Sequence, residues 1–406
     1  MRGARRLGLL VAAALLLAIQ GPSVAQGDHG GRELGSFSTC DRPVNPPRCT
    51  SVGNNVRHYV AFDASLTGPL RDAMRFAMER VYEPTRLVMI EQAGVSPLTD
   101  VIAFSADYGE NGAAGWVFCP ADAERGINTL GHRWCQAQEL HLNLNPRYGL
   151  FFDDDASRRH VACHELGHTL GLRHWGNPPE TNGPVGATCM HANTPNGPTT
   201  LHPTDVDHIN AYPSYIRRPQ RGVEITRVPD DGATAVAPMG ALTGASQVEA
   251  PASLAELIGS ADAVLRGRVV AVEPGRTFGS ASHALHYAAA TVRVTEVLAG
   301  SVPGTEVVLE IPLFAGAESI APLREQLLDS DRVLFLRNKG TSAREAWLSA
   351  AEQRAESAYY RLVTFGSEIV DDEGIAAVPP DDRPVLEPFA GRPFDGVLAE
   401  LRAAAR

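Results

Sequence analysis

Residues 164–174 read His-Glu-Leu-Gly-His-Thr-Leu-Gly-Leu-Arg-His, and this run constrains the chain more than any other. His164 and His168 are four residues apart, so on a helix their imidazoles project from one face about one turn apart. That geometry lets both bind a single tetrahedral zinc ion. Gly171 marks where the helix must stop, because a residue without Cβ adopts the left-handed conformation that swings the chain back. His174 then arrives from outside the helix as a third ligand. Three imidazoles leave a fourth position open for water, the arrangement of a catalytic rather than a structural zinc. Glu165 follows the first ligand directly. It is placed to take a proton from that water and pass it to a leaving amine without binding the metal. His160 offers a second helical pair with His164, but Val161 stands where a base is needed, so His160 is read as a solvent-facing or helix-stacking histidine.

The pattern His164-Glu165-x-x-His168-x-x-Gly171-x-x-His174 resembles the signature of the metzincin zinc peptidases. Metzincins place a methionine in a tight turn beneath the zinc, and Met190 in Thr188-Cys189-Met190-His191 is similar to it. The wording His-Glu-Leu-Gly-His-Thr-Leu-Gly-Leu is nearest the matrixin branch, and the short stretch with Asp205 and Asp207 resembles the terminal helix of such domains. Two positions depart from matrixins: Trp175 stands where serine is usual and Ala192 where proline is usual. The resemblance implies an α+β metzincin-like catalytic domain, with a mixed twisted sheet bearing one antiparallel edge strand, two long backing helices, a zinc helix, a Met-turn and a C-terminal helix. It further implies one catalytic Zn2+ and a protein or peptide substrate lying across the front of the zinc helix. A bridge between Cys163 and Cys189 also follows from it, since the zinc helix and the Met-turn touch in the family; Cys119 with Cys135, and Cys40 with Cys49, then close smaller loops. The six cysteines alone allow fifteen pairings. Pro47-Arg48-Cys49 resembles the matrixin cysteine switch but lacks the Gly-Pro-Asp that should follow, and a Cys40–Cys49 loop accounts for the same cysteine.

The compartment is read from the first residues. Arg2, Arg5 and Arg6 precede an apolar run of 13 residues from Leu7 to Ile19, and Ser23-Val24-Ala25 supplies a small-x-small cleavage pattern. Residues 1–25 are therefore expected to be a signal peptide and the mature protein to be secreted. A spanning helix needs ~20 apolar residues, so no stable membrane insertion is expected. The formal charge of −11 becomes −14 without those three arginines, which argues against nucleic acid as a partner. An even set of six cysteines fits the disulfides of an exported chain, and all six lie in the first half. The Asp153–Asp155 run offers calcium some ligands, yet it reads better as a solvated helix start. Lys339 is the only lysine beside 35 arginines, a balance read as a coding bias without function.

Apolar alternation predicts strands at 57–62, 86–91, 100–105, 114–118 and 138–144, and helices at 66–82, 156–172 and 203–211. Residues 219–252, rich in Ala, Gly, Pro and Asp, are read as a linker between a zinc peptidase domain at 26–218 and a β-rich domain at 253–406. In the latter, a short helix from Leu254, strands at 263–272, 288–297, 304–312, 331–337 and 358–364, and helices at 320–328 and 394–404 suggest a small barrel or sandwich. Ala263–Val270 followed by Ala290–Val294 loosely resembles the OB barrel of the tissue-inhibitor and netrin-like superfamily. The leading function is a zinc-dependent endopeptidase acting on extracellular proteins. One rival is an extracellular binding or adhesion protein that uses the C-terminal domain beside a weakly active or self-inhibited zinc domain. Another is a zinc hydrolase of a narrow non-protein substrate. The intact Glu165 favours the first.

Overall fold

The computed structural model describes residues 56–120, 123, 125–127, 133–172, 188–191, 197–211, 245–247, 251–280, 283–314, 320–341, 348–378 and 385–405. His174, Trp175, Ala192, Cys40, Cys49, residues 1–25 and most of the stretch read as a linker lie outside the described residues.

The first half contributes strands β1 (Arg57–Phe62), β2 (Val88–Gln92), β3 (Val101–Ala106), β4 (Ala113–Phe118), β5 (Arg125–Ile127), β6 (Arg133–Cys135) and β7 (Gln138–Asn143). A later strand, β8 (Ala245–Gln247), returns to join them. The main sheet runs β2-β1-β3-β7-β4-β8, while β5 and β6 form a separate hairpin. Strands β1, β2, β3 and β7 are parallel; β4 is antiparallel to β7, and β8 is antiparallel to β4. The antiparallel strand expected at the sheet edge is thus not the edge, because three residues from the stretch read as a linker lie outside it. A strand edge presents unpaired N–H and C=O groups that any extended segment can satisfy, so pairing there demands no apolar period in the partner.

Two helices cover one face of this sheet. Helix α1 (Gly68–Phe76) has proline in its first turn and buries Leu70, Ala73 and Met74, then continues as a π-helical turn over Ala77–Val81. Helix α2 (Asp155–Thr169) packs against it. Val60, Val101, Ala103, Leu140 and Leu142 of the sheet meet Leu70, Met74, Val161 and Leu166 of the helices in one core. Strand alternation sends Phe104, Trp116, Phe118 and His141 to the opposite face, where the three aromatic rings each stack on His141. The predicted helix at 156–172 ends at Thr169 because its C-cap lies before Gly171, and the short helix α3 (Pro203–Ala211) follows.

The second half comprises α4 (Leu254–Ser260), β9 (Ala263–Ser280), β10 (His283–Gly300), β11 (Glu306–Leu313), α5 (Ile320–Leu327), β12 (Asp331–Asn338), α6 (Ala350–Glu356), β13 (Tyr359–Leu362), β14 (Glu368–Asp372), β15 (Ile375–Ala377) and α7 (Phe394–Ala404). Strands β9, β10, β11, β13 and β12 close into a ring, with β14 and β15 extending from β12. The β11–β13 pair is parallel, and the other pairs of the ring are antiparallel. Leu265, Val292, Leu309 and Leu334 fill the interior, with Leu323 and Leu327 of α5 packed into the same core. Lys339 is fully buried and pairs with Glu310 at 2.7 Å, so the single lysine holds a place in the barrel that charge and packing require. Burial depresses its ammonium, and Glu310 opposes that by attraction.

The barrel rests on the second face of the sheet. Tyr108, Ala113 and Trp116 pack with Leu285, Tyr287, Phe314 and Phe365. The Tyr287 hydroxyl donates to the Tyr108 carbonyl at 2.7 Å, and the Phe278 ring covers Gly109. Arg361 donates to Glu110 at 2.6 Å with both side chains buried.

Candidate active site

Helix α2 carries the candidate residues and is anchored at both ends. The Asp154 carboxylate caps its start by accepting from the Ser157 N–H at 2.8 Å, while Asp155 pairs with Arg158 and Arg159. The acidic run is thereby used as a helix start. At the other end Gly171 has φ +85°. The Leu172 N–H reaches the Gly167 carbonyl at 3.1 Å and the Gly171 N–H reaches that of His168 at 2.9 Å, the two bonds of a Schellman turn.

His164 and His168 come together on this helix, with ring centroids 4.6 Å apart. His164 Nδ1 lies 2.7 Å from the Cys189 carbonyl, and His168 Nδ1 lies 2.7 Å from the Leu172 carbonyl. A carbonyl can only accept, so each Nδ1 carries a proton, and in the neutral imidazole the Nε2 then presents a lone pair. Those two Nε2 atoms face each other at 2.9 Å. Opposed lone pairs repel unless a cation or proton lies between them, and tetrahedral zinc with Zn–N bonds of about 2.0–2.1 Å needs such a pair about 3.3 Å apart. The donor set fits zinc, with its tautomers held by backbone carbonyls. Among the described residues no group of three His, Cys, Asp or Glu side chains converges, and the predicted third ligand His174 lies outside them.

Glu165 is fully buried, and its carboxylate lies against the backbone of Gly115 in β4. A Cβ on Gly115 would come within 2.6 Å of Glu165 Oε1 and 2.8 Å of its Cδ. Gly115 therefore leaves the space that the carboxylate occupies, a role that no local sequence signal advertises.

Met190 lies beneath the same helix. Its Sδ and Cε fill the space where Gly167 lacks a side chain, and Tyr82 Oη closes the third side. Tyr82 donates to the Cys163 carbonyl at 2.7 Å; burial, with the charges of Asp205 and Glu165 adding to it, holds its phenol well above the usual range, so it remains a donor. The disulfide Cys163–Cys189 joins α2 to the Met190 turn, and Cys119–Cys135 links β4 to β6. Thr188 Oγ1 accepts from the Met190 N–H at 3.1 Å and donates to Asp205 at 2.7 Å, tying the turn to α3. His160 is buried with Nδ1 on the Pro198 carbonyl at 2.7 Å, which corrects the solvent-facing alternative. His58 of β1 was missed by sequence. Its Nε2 donates to Thr169 Oγ1 at 3.0 Å, since that hydroxyl spends its own proton on the Leu166 carbonyl.

No protein-family model matches the chain, and no curated protein matches it. Among solved structures it is similar to high choriolytic enzyme 1, a hatching enzyme zinc-protease from Oryzias latipes (medaka fish), at 14% identity. The match covers 40% of this chain and 92% of that one with a TM-score of 0.24. No helix among the described residues is long and apolar enough to cross a membrane.

Proposed function

We propose that this chain is a secreted zinc-dependent endopeptidase of metzincin type, with His164, His168 and His174 as ligands and Glu165 as general base. The observation that carries this reading is the pair of imidazoles whose Nδ1 atoms donate to backbone carbonyls and whose Nε2 atoms converge to 2.9 Å on a helix that also carries a buried glutamate. A zinc ion held there supplies Lewis acidity to the scissile carbonyl and acidifies the attacking water. Glu165 takes the proton as the water oxygen bonds to the carbonyl carbon. It returns that proton to the amine nitrogen as the C–N bond breaks. Gly115 positions the carboxylate for both transfers. The wording of residues 164–172 is nearest the matrixin branch, while Met190 beneath Gly167 supports the wider metzincin reading.

In the mature chain, Glu165→Gln is expected to keep its zinc while cleavage of an unfolded protein falls about 10²–10⁴-fold, the share usually carried by a general base. Zinc content measured beside cleavage, with and without a chelator, checks this. Cleavage by the variant at the native rate overturns the assignment of the base, and a correctly oxidised chain that takes up no zinc overturns the metal site.

A further inference from the structure

The outer edge of β4 is taken by the chain itself. Trp116 pairs with Ala245, Gly115 with Ser246 and Ala113 with Gln247, antiparallel, with a register shift between Ala113 and Gly115. Without β8, strand β4 would end the sheet and present its free N–H and C=O row to any extended polypeptide. That edge is also the catalytic one, since Gly115, opposite Ser246, is the residue on which the Glu165 carboxylate rests. Strand β8 approaches α2, the helix that carries His164, Glu165 and His168, as well as pairing with β4. All three of those side chains are fully buried.

We propose that Ala245–Gln247 is a built-in pseudosubstrate strand, which masks the peptide-binding edge of β4 and holds the described state self-inhibited until a polypeptide displaces it. The proposal rests on the peptidase reading for its consequence in catalysis, while the occupancy itself rests on strand pairing alone. The segment is suited to the task for two reasons. It is only three residues long, so few hydrogen bonds are lost when it leaves. It is also tethered: as a segment of the same chain it pairs intramolecularly, so a free polypeptide has to outcompete a strand that the chain itself keeps close. A weakly pairing strand thereby excludes dilute or folded proteins while yielding to an unfolded chain that pairs along the whole edge.

The test uses residues 26–406 with Ser246→Pro, which removes a backbone donor and adds a ring that an antiparallel ladder does not accommodate. A second variant, with Ala245, Ser246 and Gln247 all changed to glycine, weakens the strand without a ring and serves if the proline variant fails to fold. Two readouts are taken. The first is kcat/KM on an unfolded protein substrate, expected to rise at least ~10-fold over the parent. The second needs no catalysis: a fluorescent synthetic peptide containing Ala-Ser-Gln is titrated into zinc-free Glu165→Gln protein with and without Ser246→Pro. Saturable binding is expected only when the internal strand is disabled. Equal peptide binding and equal cleavage by parent and variants overturn the masking. Differential peptide binding in a protein that neither takes up zinc nor cleaves leaves the strand's role standing and overturns the peptidase reading instead.

Discussion

At the scale of single residues, the candidate site depends as much on what is absent as on what is present. Gly115 of β4 gives room to Glu165, and Gly167 within α2 gives room to Met190. Gly115→Ala places a methyl 2.6 Å from the Glu165 carboxylate oxygen, closer than nonbonded atoms approach, so either β4 or the carboxylate must move. A displacement of the order of 1 Å in a positioned group costs about 10²-fold in rate. The expected outcome is a fall of that size in kcat with zinc content unchanged, measured on an unfolded protein substrate. Retention of full activity in Gly115→Ala sinks the claim that this contact positions the base. Neither glycine stands out in the sequence, because the need for a missing Cβ arises from a neighbour distant along the chain.

Between elements, the stability of the site is set by polar pins across the helix–sheet boundary. His58 of β1 reaches Thr169 at the end of α2, and Gln138 of β7 donates to the Thr169 carbonyl at 2.8 Å. Burial lowers the His58 imidazole to about 4 from its ordinary 6.5, and its Nδ1 has no hydrogen-bond partner among the described residues to receive a second proton. The unfolded chain therefore binds this proton more readily than the folded one. Stability from the group is fully present above pH 6.5 and is lost as pH falls toward 4, amounting to about 3 kcal/mol over that window. His58→Gln keeps an N–H for Thr169 and does not titrate. The difference in unfolding free energy between wild type and His58→Gln should shrink as pH drops from 6.5 to 4, which denaturant melts at a series of pH values will measure. A difference independent of pH sinks the assignment.

For the whole molecule, the question is whether the two halves behave as one unit. The β3–β4 connection, Asp107 to Gly112, is the principal dock. Tyr148 Oη accepts from the N–H groups of Asn111 and Gly112, Asn143 bonds Tyr108, Gly109 and Ala113, and the barrel adds Arg361 on Glu110. Removing one partner of a buried ion pair leaves the other charge uncompensated and costs about 3–5 kcal/mol. Arg361→Ala is expected to lower the melting temperature and to separate one thermal transition into two. Pairing it with Glu110→Gln should recover part of the loss. Calorimetry distinguishes these outcomes, and an unchanged single transition in Arg361→Ala argues against a coupled interface. Because the docking loop leads directly into β4, a loosened barrel should also weaken the hold of β8 on that strand.

By itself, the sequence determined the local parts. Periodicity placed β1, β7, α2, α3, β11, β12 and β13 within a few residues, since it follows directly from which side chains avoid water, while β9 and β10 run well beyond the 263–272 and 288–297 it marked. Spacing alone put His164, Glu165 and His168 on one helix and a left-handed turn at Gly171, because helical pitch and backbone sterics are local properties. The tertiary structure decided what required partners far apart in the chain. It set the Gly115 contact to Glu165, the His58 pin, the burial of His160 and Lys339, and the seating of the barrel on the sheet. It also decided that Ala245–Gln247 lies on the strand beside the candidate base. Backbone hydrogen bonds recruit a strand of almost any composition, so a pairing made through them leaves little trace in the identity of the residues that form it.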